Sequence, residues 1–203
     1  MNPPQAVVFD LGKVLLDFDY SLAAGKLEPR SKLLALDFRT VIDQSPLLLR
    51  YETGLLSTEE FFEEVQKRSG YSGDLSEFGA AFGDIFRPIE PMVQLQATLR
   101  DLGLRTYAFS NTNELAVRHI RGRFPFFSLF DGCILSYEHR AMKPDPRLYA
   151  VVEELTGNRG ADLLYIDDRA ENIAAGADRG WRTILHETPS ATIEAVRRSG
   201  LQV

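Results

Sequence analysis

A single cysteine, Cys133, stands among 203 residues, so no disulfide within the chain can staple this fold. It lies in the apolar run Cys133-Ile134-Leu135, where a small buried core residue is expected rather than a reactive thiol. Histidine is nearly as scarce, and His119, His139 and His186 show no metal-ligand spacing. No apolar run approaches the ~18 residues that a membrane-spanning helix needs. Met1-Asn2-Pro3-Pro4 has neither the basic segment nor the apolar stretch of a secretory leader. A soluble, cytoplasmic protein is therefore expected. Positive charge is in deficit, with 23 Lys and Arg against 29 Asp and Glu and a net charge of -6. That balance argues against nucleic acid or a membrane surface as partner and leaves room for a local basic pocket. There is no internal repeat and no low-complexity linker.

What is present is an ordinary globular mixture, 44% hydrophobic and 26% charged, enough for one sizeable core and a small second module. Five short runs rich in Val, Ile, Leu, Phe or Tyr predict buried strands: Ala6–Asp10, Arg105–Ser110, Gly132–Leu135, Leu163–Asp167 and Arg182–His186. Helical patterns accompany them. Pro91–Leu102 carries Met92, Leu95, Leu99 and Leu102 at helical spacing and stops at Gly103. Pro146–Leu155 opens on a proline and ends before Gly157, and Ala170–Arg179 ends at Gly180. Strand and helix alternate from Pro91 onward, which predicts an α/β fold with a parallel sheet flanked by helices.

From about Tyr20 to Pro88 the alternation fails. No strand run occurs there, and helices are predicted around Lys32–Asp37, Thr40–Leu49, Thr58–Ser69 and Leu75–Phe86. Ser57-Thr58-Glu59-Glu60 reads as a helix start, a cap residue followed by acids in the first turn. A helical module of about 70 residues is thus expected after the first strand.

Polar residues stand where the predicted strands end: Asp10, Gly12 and Lys13 after the first, Ser110 to Asn113 after the second, Asp167 and Asp168 after the fourth. Lys143 lies between the third strand and the next helix. In open parallel sheets the carboxyl ends of the strands line the ligand crevice, so these residues are expected to converge. Their types suit phosphate chemistry. A phosphate dianion repels a carboxylate nucleophile, and Mg²⁺, which prefers oxygen ligands, removes that barrier. Asp10 and Asp168 can supply such oxygens. Ser110 and the N–H groups opening the following helix can bind phosphate oxygens, and Lys143 can neutralise remaining charge.

Taken in order, Asp10, Ser110, Lys143 and Asp167-Asp168 with Asn172 match the four motifs of the haloacid dehalogenase superfamily, and the chain resembles its subfamily I over essentially its whole length. The resemblance implies a Rossmann-like core with strand order 3-2-1-4-5, formed by residues 1–17 and 89–203, and a helical cap formed by residues 18–88. It implies Asp10 as nucleophile and Mg²⁺ ligand, the Gly12 carbonyl and Asp168 as further ligands, and Asp167 as a ligand or a supporting carboxylate. Ser110, Asn111 and Lys143 would hold the phosphate of a small phosphorylated metabolite, and Asn172 would support the last loop. Within the superfamily the chain is most similar to bacterial α-D-glucose-1-phosphate phosphatases and, more distantly, to the phosphatase domain of soluble epoxide hydrolases. The carriers of that likeness are Phe9-Asp10-Leu11-Gly12, Ser110-Asn111-Thr112-Asn113 and Asp167-Asp168 with Asn172, and the cap segment Tyr51 to Phe61 adds to it.

One position departs from the pattern. Most phosphatases of the superfamily carry a second aspartate two residues after the nucleophile, which protonates the leaving oxygen; here that residue is Gly12. General acid help is worth ~10²–10⁴ in rate. Three readings stay open: a leaving group that needs little help or is served by Asp17, Asp19, Glu52 or water; a dehalogenase, whose halide needs no proton; or a weakly catalytic binding protein. Asp19 is expected to cap a helix near Ser21, and Ser110 to cap the helix after its strand. Trp181 and Phe124, Phe126, Phe127 and Phe130 read as packing, and Arg118, Arg121 and Arg123 as a solvated helix face. Hinges are expected near Asp17–Tyr20 and Arg87–Glu90, and the Gly54–Ser57 loop is the candidate for substrate selection.

Overall fold

The computed structural model describes residues 3–203. Its centre is a parallel sheet of β1 (Ala6–Phe9), β4 (Arg105–Ser110), β5 (Gly132–Leu135), β6 (Leu163–Asp167) and β7 (Arg182–Leu185), in the order β5-β4-β1-β6-β7. Counting only these strands, that is the expected 3-2-1-4-5. All four residues of β1 and all five of β6 are buried, as strands covered on both faces must be. The two-residue period divides the core. Val7 and Phe9 face one apolar cluster, while Ala6 and Val8 face another with Tyr149, Tyr165 and Trp181.

Between β1 and β4 the chain runs through β2 (Leu16–Phe18), then α1 (Tyr20–Leu27), α2 (Ala35–Ile42), α3 (Pro46–Glu52), α4 (Thr58–Ser69) and α5 (Leu75–Gly83), and returns through β3 (Phe86–Pro88) to α6 (Glu90–Asp101). Asp19 caps α1 through Ser21 N at 2.8 Å. Ser57 and Glu60 form the full reciprocal cap at the start of α4. The helical pattern predicted over Thr40–Leu49 is two helices, because Asp43–Ser45 is extended or left-handed and Pro46 opens a new helix. The expected hinges are not open loops. β2 and β3 pair antiparallel, with Leu16 opposite Pro88 and Phe18 opposite Phe86. A three-residue strand is too short to show a hydrophobic period, which is why the sequence pattern misses β3.

The remaining helices are α7 (Glu114–Arg123), α8 (Ser136–His139), α9 (Pro146–Thr156), α10 (Ala170–Asp178) and α11 (Pro189–Arg198). Among the described residues no helix is long and apolar enough to cross a membrane. Trp181, Phe126 and Phe127 are buried, and Phe124 and Phe130 pack against the core.

Candidate active site

The polar residues picked out in the sequence meet at the carboxyl ends of β1, β4 and β6. Asp10 follows β1, which sits between β4 and β6, where successive connections leave in opposite directions. Its backbone N–H donates to Ile166 O at 2.9 Å, and its Oδ1 accepts from Leu11 N at 2.7 Å. The next turn is tight: Lys13 takes a left-handed φ of 60° and donates to Leu16 O at 2.7 Å.

Lys143 is the electrostatic centre. Its Nζ, on a residue only 5% exposed, donates to Phe109 O at 2.8 Å and Asp167 Oδ2 at 2.6 Å, and lies 3.1 Å from Asp10 Oδ1. An ammonium has three donors, and all three are occupied. Burial opposes its charge, yet Asp10 and Asp167 beside it hold its pKa above the ordinary lysine value. Asp167 is fully buried and saturated. Besides Lys143 it accepts from Tyr165 OH at 2.5 Å, Arg169 N at 2.8 Å and Asn172 Nδ2 at 3.0 Å. Burial pushes this carboxyl up, but Lys143 and these donors win and keep it below the usual range. Tyr165 escaped notice in the sequence, although its place two residues before Asp167 puts both on one face of β6.

Asp10 has fewer partners. Burial, with Asp167 and Asp168 nearby, pushes its carboxyl up to about 7 against the opposing pull of Lys143. Asp168, half-buried, is raised by burial and by Asp167. The three carboxylates each present an oxygen within 4.8 Å of the others. Such a cluster of hard oxygen donors, with too little positive charge to balance it, suits a divalent cation such as Mg²⁺. Asn172 adds a second sign. Its Oδ1 is buried without a partner beside the cluster, an acceptor that a metal-bound water would satisfy.

Asn111 and Lys143 are joined at the backbone: Lys143 N donates to Asn111 Oδ1 at 2.7 Å, and Asn111 Nδ2 donates to Lys143 O at 3.1 Å. The Asn111 side chain therefore fixes the lysine loop against β4. Ser110 ends β4 and faces the pocket, but it is not the helix cap expected of it. Asn113 caps α7, with Oδ1 accepting from Ala116 N at 3.0 Å. Position 12 is also not mere empty space. A Cβ there would sit 3.0 Å from Phe18 Cε1, so a ring from β2 must shift before any side chain can stand at this position.

Asp10, Gly12, Ser110, Asn111, Asn113, Lys143, Asp168 and Asn172 line one pocket of about 800 Å³, with the fully buried Asp167 behind it. Its outer wall comes from α2, α3 and the turn between them, including Arg39, Asp43, Gln44, Ser45, Leu48 and Glu52. Gln44 is held at a φ of 48°. The Gly54–Ser57 loop, expected to select substrate, is absent from this lining. Gly54 takes a φ of 71° and packs against the Tyr137 carbonyl, while Ser57 caps α4, so that loop seats the helices on the core. Asp17 is likewise outside the pocket and pairs with Lys13 on the surface at 2.5 Å.

The sequence profile of the haloacid dehalogenase-like hydrolases matches residues 4–180, a span that holds every residue of this pocket. The chain belongs to that family. Two relatives of this hydrolase align along most of both chains. It is 25% identical to a sesquiterpene phosphatase of Aspergillus oryzae over 92% of this chain and 91% of the relative. It is 27% identical to a D-ribitol-5-phosphate phosphatase of Bacteroides thetaiotaomicron over 89% and 91%. Its fold matches that of a haloacid dehalogenase family enzyme from the same bacterium, crystallised with magnesium and inorganic phosphate, with a TM-score of 0.78 at 22% identity over 91% and 94% of the two chains.

Proposed function

We propose that this hydrolase is a magnesium-dependent phosphatase that cleaves a small phosphate monoester through a covalent aspartyl-phosphate on Asp10. The observation that carries the reading is the meeting of three carboxylates and one buried ammonium at the crevice end of β1, in a pocket shared with Ser110. Displacing halide from a neutral carbon needs no divalent counter-charge, whereas attack on a phosphate dianion does. The phosphatase names of two relatives aligned along most of their length support the same reading.

Bound by Asp10, Asp168 and the Gly12 carbonyl, Mg²⁺ would supply the positive charge that lets a carboxylate approach a phosphate dianion. Asp10 attacks phosphorus, the bond to the alcohol oxygen breaks, and water then hydrolyses the acyl phosphate to restore the carboxylate. Ser110 and the N–H groups leading into α7 hold phosphate oxygens. Lys143 orients Asp10 and offsets charge in the ground and transition states. Asp167 and Asn172 act behind it: Asp167 anchors Lys143, and its saturated oxygens favour that role over direct coordination. Residues 18–88 form a cap on the β2–β3 ribbon that keeps water from the acyl phosphate until the alcohol has left.

The test is phosphate release from a panel of phosphate esters, and halide release from a 2-haloacid, each with and without Mg²⁺. Mg²⁺-dependent phosphate release that falls at least ~10³-fold in Asp10→Asn is expected. Metal-free halide release, or ester hydrolysis indifferent to Asp10→Asn, would overturn the reading.

A further inference from the structure

The phosphate end of the pocket is accounted for, but two polar groups on the leaving-group side are not. Asn113 is 1% exposed and lines the pocket. Its Oδ1 is committed to capping α7, while its Nδ2 is buried with no hydrogen-bond partner. Glu52 closes α3 and lines the same pocket. Its position is fixed from behind, because Ser136 Oγ donates to the Glu52 carbonyl at 2.6 Å and the same hydroxyl accepts from Thr112 N at 2.9 Å. The Glu52 carboxyl is steadied by the neighbouring Asn113 amide, yet the two make no hydrogen bond of ordinary geometry. Among the described residues no basic side chain pairs with Glu52, and Arg39 on the same wall is taken by Asp43 at 2.8 Å. A partly exposed acid and a buried amide donor with no partner at ordinary hydrogen-bond geometry therefore stand side by side on the pocket wall.

We propose that Glu52 and Asn113 form a hydroxyl-binding subsite that selects the leaving group. The inference rests on the phosphatase reading above and adds its specificity. A hydroxyl accepts from Asn113 Nδ2 and donates to the Glu52 carboxyl, so one group satisfies both sides at once. Burial pushes the Glu52 carboxyl up to about 8, so near neutrality it is largely uncharged and can also donate to a second oxygen. An isoprenoid alcohol would offer this pair neither a donor nor an acceptor, and the buried Asn113 amide would stay unmatched. Phe18 supplies an apolar surface in the same pocket, which suits the carbon face of a polyol or sugar. The two named relatives differ on this very point, one named for a polyol ester and one for a sesquiterpene, and a hydroxyl-binding wall suits the first kind of leaving group.

The experiment compares kcat/KM of the full chain with Mg²⁺ on ribitol 5-phosphate, farnesyl phosphate and phenyl phosphate, for the native protein and for Glu52→Leu and Asn113→Ser, the latter keeping a side chain that can cap α7. Thermal melts verify that each variant is folded. The native protein is expected to prefer ribitol 5-phosphate to farnesyl phosphate at least ~10-fold, and each variant to lower that ratio ~10-fold or more, largely through KM. If Glu52→Leu is not folded, Glu52→Gln is read in its place and is expected to lower the ratio less. A native preference for farnesyl phosphate, or ratios unmoved in folded variants, overturns the subsite while leaving the phosphatase reading intact. No hydrolysis of any of the three esters by the native protein overturns both.

Discussion

Replacing Lys143 by methionine removes one charge and little volume, which makes it a direct probe of the buried cluster. The ammonium's three partners are Phe109 O, Asp167 Oδ2 and Asp10 Oδ1. Without it, two carboxylates face each other in a region where the lysine side chain itself is 1% exposed. Leaving one side of a buried ion pair unpaired costs about 3–5 kcal/mol. In a chain of this length each kcal/mol lowers Tm by roughly 2–4 °C, so a drop on the order of 10 °C is expected. The loss has a sign in pH. With the cation gone, the folded-state pKa values of Asp10 and Asp167 both rise, and an acid whose folded pKa is raised loses stability as pH increases through that range. The Lys143→Met deficit is therefore larger at pH 8 than at pH 5. Adding Asp167→Asn removes the second charge, so the double variant should be at least ~1 kcal/mol more stable than the sum of the singles. Urea unfolding at both pH values, with m-values compared, gives all of these quantities. A Lys143→Met loss under ~1 kcal/mol, flat with pH, would mean that water reaches the cluster and the electrostatic argument fails.

Two further substitutions test the geometry around the site. Gly54→Ala combines a φ of 71° with a Cβ driven into the Tyr137 carbonyl, and should cost at least ~2 kcal/mol in urea unfolding. Gly103→Ala, at a φ of 83° with open space around it, is the control and should cost only ~1 kcal/mol; equal losses would show that the contact with Tyr137 is unimportant. Gly12→Asp alone must displace the Phe18 ring, so reduced stability and no gain in turnover are expected. With Phe18→Ala as well, the carboxyl has room, and kcat/KM for an alkyl phosphate should rise ~10-fold or more over Phe18→Ala alone; no rise would mean that the leaving oxygen is not reached from position 12.

Much of the fold was legible because burial leaves a plain signature. β4, β5 and β6 begin and end where the apolar runs do, since a strand covered on both faces admits few polar residues. The catalytic candidates stood out for the opposite reason: Asp10, Ser110 and Asp167 close such runs, and only the sheet's topology gives polar residues at those ends a common place. Their division of labour was not legible. Lys143 in Met142-Lys143-Pro144 gives no hint that its three donors are spent on Phe109, Asp10 and Asp167. The cap for the helix after β4 was placed on Ser110, but the Asn111 side chain is drawn to Lys143, and Asn113 takes that role three residues later.

The pocket's outer wall was hidden because its residues look like ordinary helix surface. Arg39 and Asp43 are spaced i, i+4 like any solvated pair, and Glu52 is visible only as one of several acids that could serve the leaving oxygen. The cleavage end and the selecting end thus obey different constraints. At the cleavage end, the chemistry of phosphate dictates residue type, so types can be recognised in the bare chain. At the selecting end, any side chain will serve that the cap happens to bring over the crevice, and only three-dimensional placement distinguishes it. Gly12 links the two. With the Phe18 ring close beside it, position 12 offers the leaving oxygen no carboxyl. A proton for that oxygen has to come from solvent, from the alcohol's own hydroxyls or from the pocket wall that carries Asp19 and Glu52. An enzyme built this way is suited to leaving groups that bring hydroxyls of their own, which is what the unmatched Asn113 amide and Glu52 carboxyl call for.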